Sequence, residues 1–389
     1  MPRRLRFSSG GQVPLTILKR QLPQDCSAFE PVQGAAEMRL RPRSARTGGP
    51  ILLSIALLLV LIVLPANTPR AGEVLQRVID DGIMRCGVTR SGPGLSEIGA
   101  DGHWNGLFVD FCRVVAAAVL NDPDAIEFVE VNDIIRFDAL NEDGFDVLMA
   151  NTTWTITRNS ALGIAFTGTI YYDGQSFLAH KSLGAMSLAE IEKARVCVSG
   201  GTTTVKNVEE MAAVKYPGLE ILAFQSIDGT YEAFFARECE IITYDRLALI
   251  AQLRNRTANP ENFVLFPEIV SKEPLGPAVR KGDQAWFDVV RWAVLATFAA
   301  EEMGVTSRNI DDVLASTDRP EIRRLFGLEG KIGEGLGMPG DWAANIVRQV
   351  GNYGEIFDRN VGAGSPLKLD RGLNALWTDG GLHYAPPIR

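Results

Sequence analysis

The chain of 389 residues is long enough for two domains or for one large unit of two lobes. With 46% apolar and 22% charged residues, the composition is that of a globular protein and excludes disorder throughout. The net charge is −8, but residues 1–72 contain ten basic and three acidic residues, which leaves residues 73–389 at −15. This acidic body argues against nucleic acid as a partner, because phosphates require a basic surface.

Residues 38–72 have the pattern of a secretory signal peptide. Several arginines precede an apolar run of 14 residues at 51–64, and small residues follow it. A membrane span requires about 20 apolar residues, so we expect cleavage near Ala71, with a retained membrane anchor as the alternative. Met38 stands directly before this pattern. We therefore expect residues 1–37 to be an upstream extension that is not part of the native protein.

Strand and helix signals alternate through the rest of the chain. Strands are predicted at 84–89, 126–131, 145–150, 195–199, 219–224, 240–244 and 263–270. Helices are predicted at 106–120, 134–141, 203–215, 230–237, 247–254 and 284–303. Two successive sets of this kind predict an α/β protein with two lobes, each a parallel sheet covered by helices. The tail from Gly335, rich in Gly and Pro, is expected to wrap over the first lobe.

A polar segment at 151–158, with the sequence NTTWTITR, follows one of the predicted strands. Ligands of open α/β sheets bind outside the carboxyl ends of the strands, so this segment is a candidate for ligand contacts. Arg158 has the geometry to hold a carboxylate through two parallel hydrogen bonds. The alternative is a solvated arginine beside a threonine-rich turn.

Two further segments follow strands of the second set. Residues 199–204, SGGTTT, open a predicted helix, where free backbone N–H groups favour an anion. The alternative there is an ordinary threonine cap, and the Gly-Lys-Ser/Thr ending of a Walker phosphate loop is absent. Asp245 ends a predicted strand, where its carboxylate is suited to pair with an ammonium group. The alternative for Asp245 is an N-cap of the next helix.

Several long stretches, all in the same order, resemble one known family. They are the segment at 151–158, residues 201–204, SKEPLGPAVRKGD at 271–283, VGNYGEIF at 350–357, RGLNALW at 371–377 and the final YAPPIR. In these stretches the chain resembles the general L-amino-acid-binding proteins of polar amino-acid ABC importers, which belong to bacterial solute-binding protein family 3. The resemblance covers about residues 72–389.

This resemblance implies a periplasmic-binding-protein fold of type II, in which two lobes are joined by a double-strand hinge. Lobe one would comprise residues 73–177 and 273–389, including the C-terminal wrap, and lobe two residues 178–272. The implied function is periplasmic capture of free L-amino acids, with broad specificity, for delivery to the inner-membrane permease subunits of an ABC transporter. The resemblance implies no cofactor, and we expect a monomer.

The same resemblance assigns roles to the candidate residues. Arg158 would bind the α-carboxylate of the ligand, helped by Thr153 and the backbone of Thr203. Asp245 would bind the α-ammonium group, helped by the Asn151 carbonyl and the Thr153 hydroxyl. Two further candidates complete the set, namely Thr202 and Trp154, and Trp154 either forms part of the pocket wall or packs within lobe one.

Four cysteines lie in the expected exported body, at Cys86, Cys112, Cys197 and Cys239. They form no C-x-x-C pair, which makes a zinc site a poor fit, and export favours disulfides. Three pairings are possible for four cysteines. We favour Cys86–Cys112 and Cys197–Cys239, because each pair then lies within one lobe, and buried free thiols are the alternative.

Two other functions compete with transport. The first is an enzyme on the same fold, such as a dehydratase of small carboxylates, which would need a general acid or base in the cleft. The histidines at 103, 180 and 383 are scattered, so we expect neither a catalytic nor a metal site. The second is the sensor domain of a membrane receptor, which would need an anchoring span and a signalling region.

Overall fold

The computed structural model describes residues 72–389. The upstream extension and all but the last residue of the expected signal peptide lie outside the described residues. The helices are α1 (Glu73–Asp81), α2 (Leu107–Leu120), α3 (Arg136–Asn141), α4 (Ile156–Ala161), α5 (Thr203–Val214), α6 (Ile227–Phe235), α7 (Arg246–Arg256), α8 (Gln284–Glu302), α9 (Ile310–Ser316), α10 (Pro320–Leu325), α11 (Ile332–Gly335), α12 (Trp342–Gln349) and α13 (Tyr353–Asn360). Over residues 72–389, no helix is both long enough and apolar enough to cross a membrane.

The strands of the described chain form two five-stranded sheets and two short ribbons. They are β1 (Met84–Val88), β2 (Glu97–Ile98), β3 (Trp104–Asn105), β4 (Ile126–Glu130), β5 (Val147–Leu148), β6 (Ile164–Phe166), β7 (Tyr171–Asp173), β8 (Gln175–His180), β9 (Ala194–Ser199), β10 (Leu219–Phe224), β11 (Ile241–Asp245), β12 (Phe263–Leu265), β13 (Glu273–Leu275) and β14 (Ala278–Arg280). The first sheet has the order β4-β1-β5-β14-β6 and the second the order β10-β9-β11-β8-β12. The two sheets are the centres of the two lobes.

Both sheets are mixed, which corrects the prediction of parallel sheets. In the first sheet β14 runs antiparallel to β5 and β6, and in the second β8 runs antiparallel to β11 and β12. Parallel neighbours need a crossover connection, usually a helix. Instead, β8 follows β7 directly and β14 follows β13 directly, without a helix between them. The chain therefore enters each sheet in the opposite direction. The sequence reading missed β8 and made the strands at 145–150 and 263–270 too long.

A two-stranded antiparallel ribbon connects the lobes. Strand β7 pairs with β13, so that Tyr171 lies opposite Leu275 and Asp173 lies opposite Glu273. Strand β7 leads into the second sheet through β8, and β13 leads back into the first sheet through β14. The ribbon is therefore the double-strand hinge of the type II fold.

The C-terminal part packs on the first lobe and on the hinge. Helices α12 and α13 lie against α2 and α8, although the Gly- and Pro-rich composition of this tail did not predict them. The Tyr353 hydroxyl donates to the Ile170 carbonyl at 2.9 Å. The Asn374 side chain accepts from the Tyr172 N–H at 2.7 Å and donates to the Tyr172 carbonyl at 3.1 Å. The tail thus holds the outer edge of hinge strand β7.

Each lobe contains one disulfide. Cys86 of β1 is bonded to Cys112 of α2, with a Cα–Cα distance of 6.2 Å, and this bridge ties the first sheet to the helix that covers it. Cys197 of β9 is bonded to Cys239, which lies just before β11, at a Cα–Cα distance of 5.8 Å. All four side chains are fully buried. These are the two pairs that the sequence favours.

The disulfide of the second lobe should contribute strongly to stability. Cys197 and Cys239 are 42 residues apart, and closing a loop of that length lowers the entropy of the unfolded chain. Replacing both by Ala is expected to lower the free energy of unfolding by about 4 kcal/mol. Guanidinium unfolding of the double variant and of the oxidised parent measures this difference. Equal transition midpoints would show that the bridge adds no stability.

Candidate functional site

A small cavity lies between the two lobes. Its volume is only about 10 Å³, and it is lined by Arg136, Asn151, Thr153, Arg158, Thr202, Thr203, Thr204, Tyr244 and Asp245. The first four of these residues come from the first lobe and the others from the second. Six of the seven ligand-binding candidates from the sequence are therefore brought together, and only Trp154 is not among them.

A larger groove on the first lobe is not a comparable site. It has a volume of about 680 Å³ and lies between α2 and the C-terminal part. Its buried carboxylate, Asp110, already accepts hydrogen bonds from Arg113 at 3.0 Å, Arg359 at 2.7 Å and Asn360 at 2.6 Å. Asp110 is thus already neutralised by cations of the protein itself.

Arg158 is positioned by the first turn of α4. Thr155 caps this helix by accepting from the Arg158 N–H at 3.2 Å, and the guanidinium donates to the Thr153 carbonyl at 2.9 Å. The guanidinium also lies 5.1 Å from the ring centre of Phe137. Desolvation and the nearby charge of Arg136 lower the pKa of Arg158 to about 10, so the group stays cationic at neutral pH. Arg158 is therefore a fixed, buried cation on the cavity wall.

A second buried guanidinium, that of Arg136, was missed by the sequence reading. Arg136 is only 1% exposed and bonds to the Asp133 carboxylate, while its Nε is buried with no hydrogen-bond partner among the described residues. The same Asp133 carboxylate accepts from the Ser199 hydroxyl at 3.1 Å and the Tyr244 hydroxyl at 3.2 Å, both in the other lobe. Asp133 and Arg136 follow the carboxyl end of β4, so the rule that indicated Arg158 also applied to them.

The start of α5 brings backbone N–H groups to the cavity. Gly201 has a φ of 71°, and a Cβ there would lie 3.0 Å from the Asp133 carbonyl oxygen, so glycine fits the close approach of the lobes. The Thr202 hydroxyl donates to the Ser199 carbonyl at 2.7 Å and accepts from the Val205 N–H at 3.3 Å, as an ordinary cap does. The first N–H groups of a helix have no intrahelical acceptor, and the residues at the start of α5, Thr202–Thr204, line the cavity.

Asp245 lies at the end of β11, directly before α7. Its side chain makes no capping hydrogen bond to α7 and instead accepts from the Asn151 amide at 3.0 Å, across the cleft. The Asn151 side-chain oxygen in turn accepts from Ser91 at 2.8 Å. Desolvation and the charges of Glu273 and Asp173 raise the pKa of Asp245 well above its usual range. The carboxylate is therefore poorly neutralised by the protein itself.

Glu273 is a further buried carboxylate beside the cavity that the sequence reading missed. It is 1% exposed and accepts from the hydroxyls of Thr153 and Thr203, the second at 3.1 Å. It also accepts from the Ser271 hydroxyl and, at 3.4 Å, from the Asn207 amide. Glu273 lies within SKEPLGPAVRKGD, a stretch quoted for the family resemblance, but no residue of that stretch was given a role.

Trp154 lies outside this group of residues. Its ring stacks on Phe166, with ring centres 6.1 Å apart, and it is 40% exposed. Its backbone N–H donates to the Pro274 carbonyl at 2.8 Å. Packing within the first lobe is therefore the role that the structure gives this side chain.

Comparison with known proteins identifies similar chains. The family model for bacterial extracellular solute-binding proteins, family 3, matches residues 84–308. The chain is 44% identical to the general L-amino acid-binding periplasmic protein AapJ of Rhizobium johnstonii, over 87% of this chain and 99% of that protein. It is 43% identical to the putative amino-acid ABC transporter-binding protein YhdW of Escherichia coli K12, over 83% and 95%. A solved ABC transporter periplasmic binding protein from Brucella ovis, with glutathione bound, has a TM-score of 0.78 at 43% identity, over 81% and 99%.

The acidic groups near the cavity predict an unusual pH dependence of stability. Desolvation raises the pKa of Asp173 to about 7, the Leu247 and Gly174 N–H groups oppose this, and the charge of Glu273 adds to it. The folded state therefore binds the proton of Asp173 more tightly than the unfolded chain does. This proton stabilises the fold fully below a pH of about 4, and its contribution to the free energy of unfolding is lost as the pH rises through about 7. Asp173→Asn should remove this loss.

Urea unfolding at several pH values between these limits measures the effect. The parent protein is expected to lose unfolding free energy relative to Asp173→Asn as the pH rises. Asp318→Asn, at an exposed aspartate, is the matched control and should follow the parent. A constant difference between parent and Asp173→Asn at all pH values would contradict the assignment.

Proposed function

Because the chain belongs to the bacterial extracellular solute-binding proteins, family 3, we propose that it binds free L-amino acids in the periplasm and delivers them to an ABC importer. The observation that carries this proposal is the small interlobe cavity, which is lined by an arginine of one lobe and an aspartate of the other. The names of its relatives AapJ and YhdW support the same ligand class.

The two ends of the zwitterion have separate binding groups in this proposal. Arg158 binds the α-carboxylate, with help from Thr153 and the backbone of Thr203. Asp245 binds the α-ammonium group, with the Asn151 carbonyl and the Thr153 hydroxyl. Burying either charge without a partner would cost several kcal/mol, and this arrangement offsets that cost at both ends.

Broad specificity follows from what these groups recognise. Every free α-amino acid carries the same ammonium and carboxylate, so a site that binds these two groups tolerates different side chains. The glutathione in the Brucella ovis structure also has a free α-ammonium and α-carboxylate, on its γ-glutamyl residue. Compounds with this head group, including glutathione, are therefore the ligands to screen by thermal shift, since binding to the folded state raises the unfolding temperature.

Lobe closure is the conformational step of the proposed cycle. We propose that lobe one comprises about residues 73–177 and 273–389 and lobe two about residues 178–272. The chain crosses between the lobes at β7 and β13, and β8, which begins at Gln175, is already part of the second sheet. Hydrogen bonds between the lobes, such as that from the Gln252 amide to the Ser91 carbonyl at 3.3 Å, describe the closed arrangement. Hinge closure of this type completes a binding site from two halves.

The proposal includes a monomer without catalytic activity. The cavity is lined by cations, carboxamide, hydroxyl and carboxylate groups that already have binding roles. None of the histidines in the described part of the chain is among its lining residues. Gel filtration with light scattering tests the monomeric state, and incubation with bound ligand followed by recovery of that ligand unchanged tests the absence of turnover.

Removal of Arg158 should weaken binding of every amino acid. Arg158→Ala leaves the α-carboxylate buried without its cation, which costs about 3–5 kcal/mol, or roughly 10²–10³-fold or more in Kd. Titration calorimetry with the amino acids that raise the unfolding temperature measures this loss. Arg348→Ala, at a surface arginine of α12 paired with Asp311, is the matched control and should bind as the parent does. Unchanged affinity of Arg158→Ala for all ligands would refute the assignment.

Export makes a separate prediction about the amino terminus. We propose that residues 38–72 direct export and that cleavage occurs near Ala71. Amino-terminal sequencing of the protein from the periplasmic fraction should therefore begin close to residue 72. A native protein that retains peptides from residues 1–37 would contradict both the start at Met38 and the cleavage.

A further inference from the structure

Glu273 is a buried carboxylate in the hinge that forms no salt bridge with any cation of residues 72–389. Its four hydrogen-bond donors are neutral, namely three hydroxyls and one amide. The salt bridges formed within residues 72–389 do not include it. Because a buried charge is costly unless a cation or several hydrogen bonds compensate it, such a group needs an explanation.

Glu273 contacts two hydroxyls of the cavity wall, one of which, that of Thr153, is a candidate for binding the α-ammonium group. The Thr153 and Thr203 hydroxyls, which line the cavity from opposite lobes, lie 3.3 Å apart, and both are within hydrogen-bond distance of the same Glu273 oxygen. A hydroxyl has one proton to donate and two lone pairs to offer. When both hydroxyls donate to Glu273, they present only lone pairs to the cavity.

Hydroxyl groups that present only lone pairs to the cavity distinguish the two ends of a zwitterion. Oxygen atoms that present lone pairs accept hydrogen bonds from an ammonium group and repel a carboxylate. The charge of Glu273 also adds to desolvation in raising the pKa of Asp245, an effect that a bound ammonium group would reverse. Arg158 and Arg136, which also line the cavity, carry only donors.

We propose that Glu273 is a positioning residue that fixes the Thr153 and Thr203 hydroxyls as acceptors and so makes the site select an α-ammonium group over a hydroxyl or hydrogen at the same position. This inference rests on the proposed function and deepens it. It defines the ligand class as α-amino acids as opposed to α-hydroxy acids. The residue that determines this selectivity, Glu273, lies in the hinge and does not line the cavity.

A purely structural role for Glu273 predicts something different. If the carboxylate only joined the lobes through Thr153 and Thr203, its loss would weaken the closed state and reduce affinity for all ligands by the same factor. If Glu273 is a positioning residue, its loss weakens only the binding of the ammonium group, so affinity falls for amino acids and not for hydroxy acids. The ratio of affinities for matched amino and hydroxy acids separates the two roles.

The test is calorimetry on full-length mature protein with L-glutamate and L-alanine, each compared with its hydroxy counterpart, L-2-hydroxyglutarate or L-lactate. The parent should prefer the amino acid of each pair. Glu273→Gln should reduce that preference by about tenfold or more, the size of one hydrogen bond to a charged group, mainly through weaker binding of the amino acid. Glu301→Gln, at a carboxylate paired with Arg371 away from the cavity, is the matched control and should keep the parent's preference.

Thr203→Val provides the second arm and does not depend on the folding of Glu273→Gln. It removes one of the two fixed acceptors while leaving the carboxylate in place, and it should lower the same preference. If Glu273→Gln keeps the parent's preference for the amino acid, the proposal is wrong, although amino-acid binding itself stands. If Glu273→Gln does not fold, an unchanged preference in Thr203→Val overturns the proposal in the same way. Failure of the parent protein to bind any amino acid would overturn the proposed function and this inference together.

Discussion

Burial of opposite charges supplied by two halves of the molecule is the constraint on which the rest of this structure depends. Arg158 reaches the cavity from the first lobe and Asp245 from the second, and both are almost fully buried. Neither charge has a direct ionic partner of its own among the residues that line the cavity. A dipolar ligand compensates both at once, whereas an ion of either sign compensates only one.

The fold supplies these charges because of where its strands end. The carboxyl end of β4 leads to Asp133 and Arg136, that of β5 to Asn151 and Arg158, and that of β11 to Asp245. A ribbon of two strands carries the chain between the lobes, and Glu273 lies in one of these strands beside the threonines of both lobes. The hinge is thus not only a mechanical connection, because it contributes a carboxylate to the polar network around the cavity.

Much of this arrangement could be predicted from the sequence. The alternation of strand and helix signals indicated two α/β lobes, and the polar residues after three strands indicated Arg158, Asp245 and the start of α5. The disulfide pairs followed from keeping each bond within one lobe. These features depend on local patterns and on the general rule that binding groups lie at the carboxyl ends of strands.

Other features depend on contacts between distant residues and left no local signal. Strand β8 is antiparallel because it enters from the hinge, which a pattern of alternating elements does not reveal. The sequence allowed Trp154 either to form part of the pocket wall or to pack within lobe one, and its stacking on Phe166 in the structure distinguishes these alternatives. Glu273 lies in a stretch that supported the family resemblance but indicated no role for this residue, and its partner Thr203 is 70 residues earlier in the chain. Arg136 is a different case, because its position after β4 satisfied the rule that indicated Arg158 and the residue could have been predicted.

A crystal structure of the mature protein with an L-amino acid bound tests the central claim most directly. The account predicts that the ligand carboxylate contacts the Arg158 guanidinium, that its ammonium group contacts the Asp245 carboxylate, and that the two lobes are closed around it. A bound amino acid with Arg158 and Asp245 both turned away from it would contradict the account.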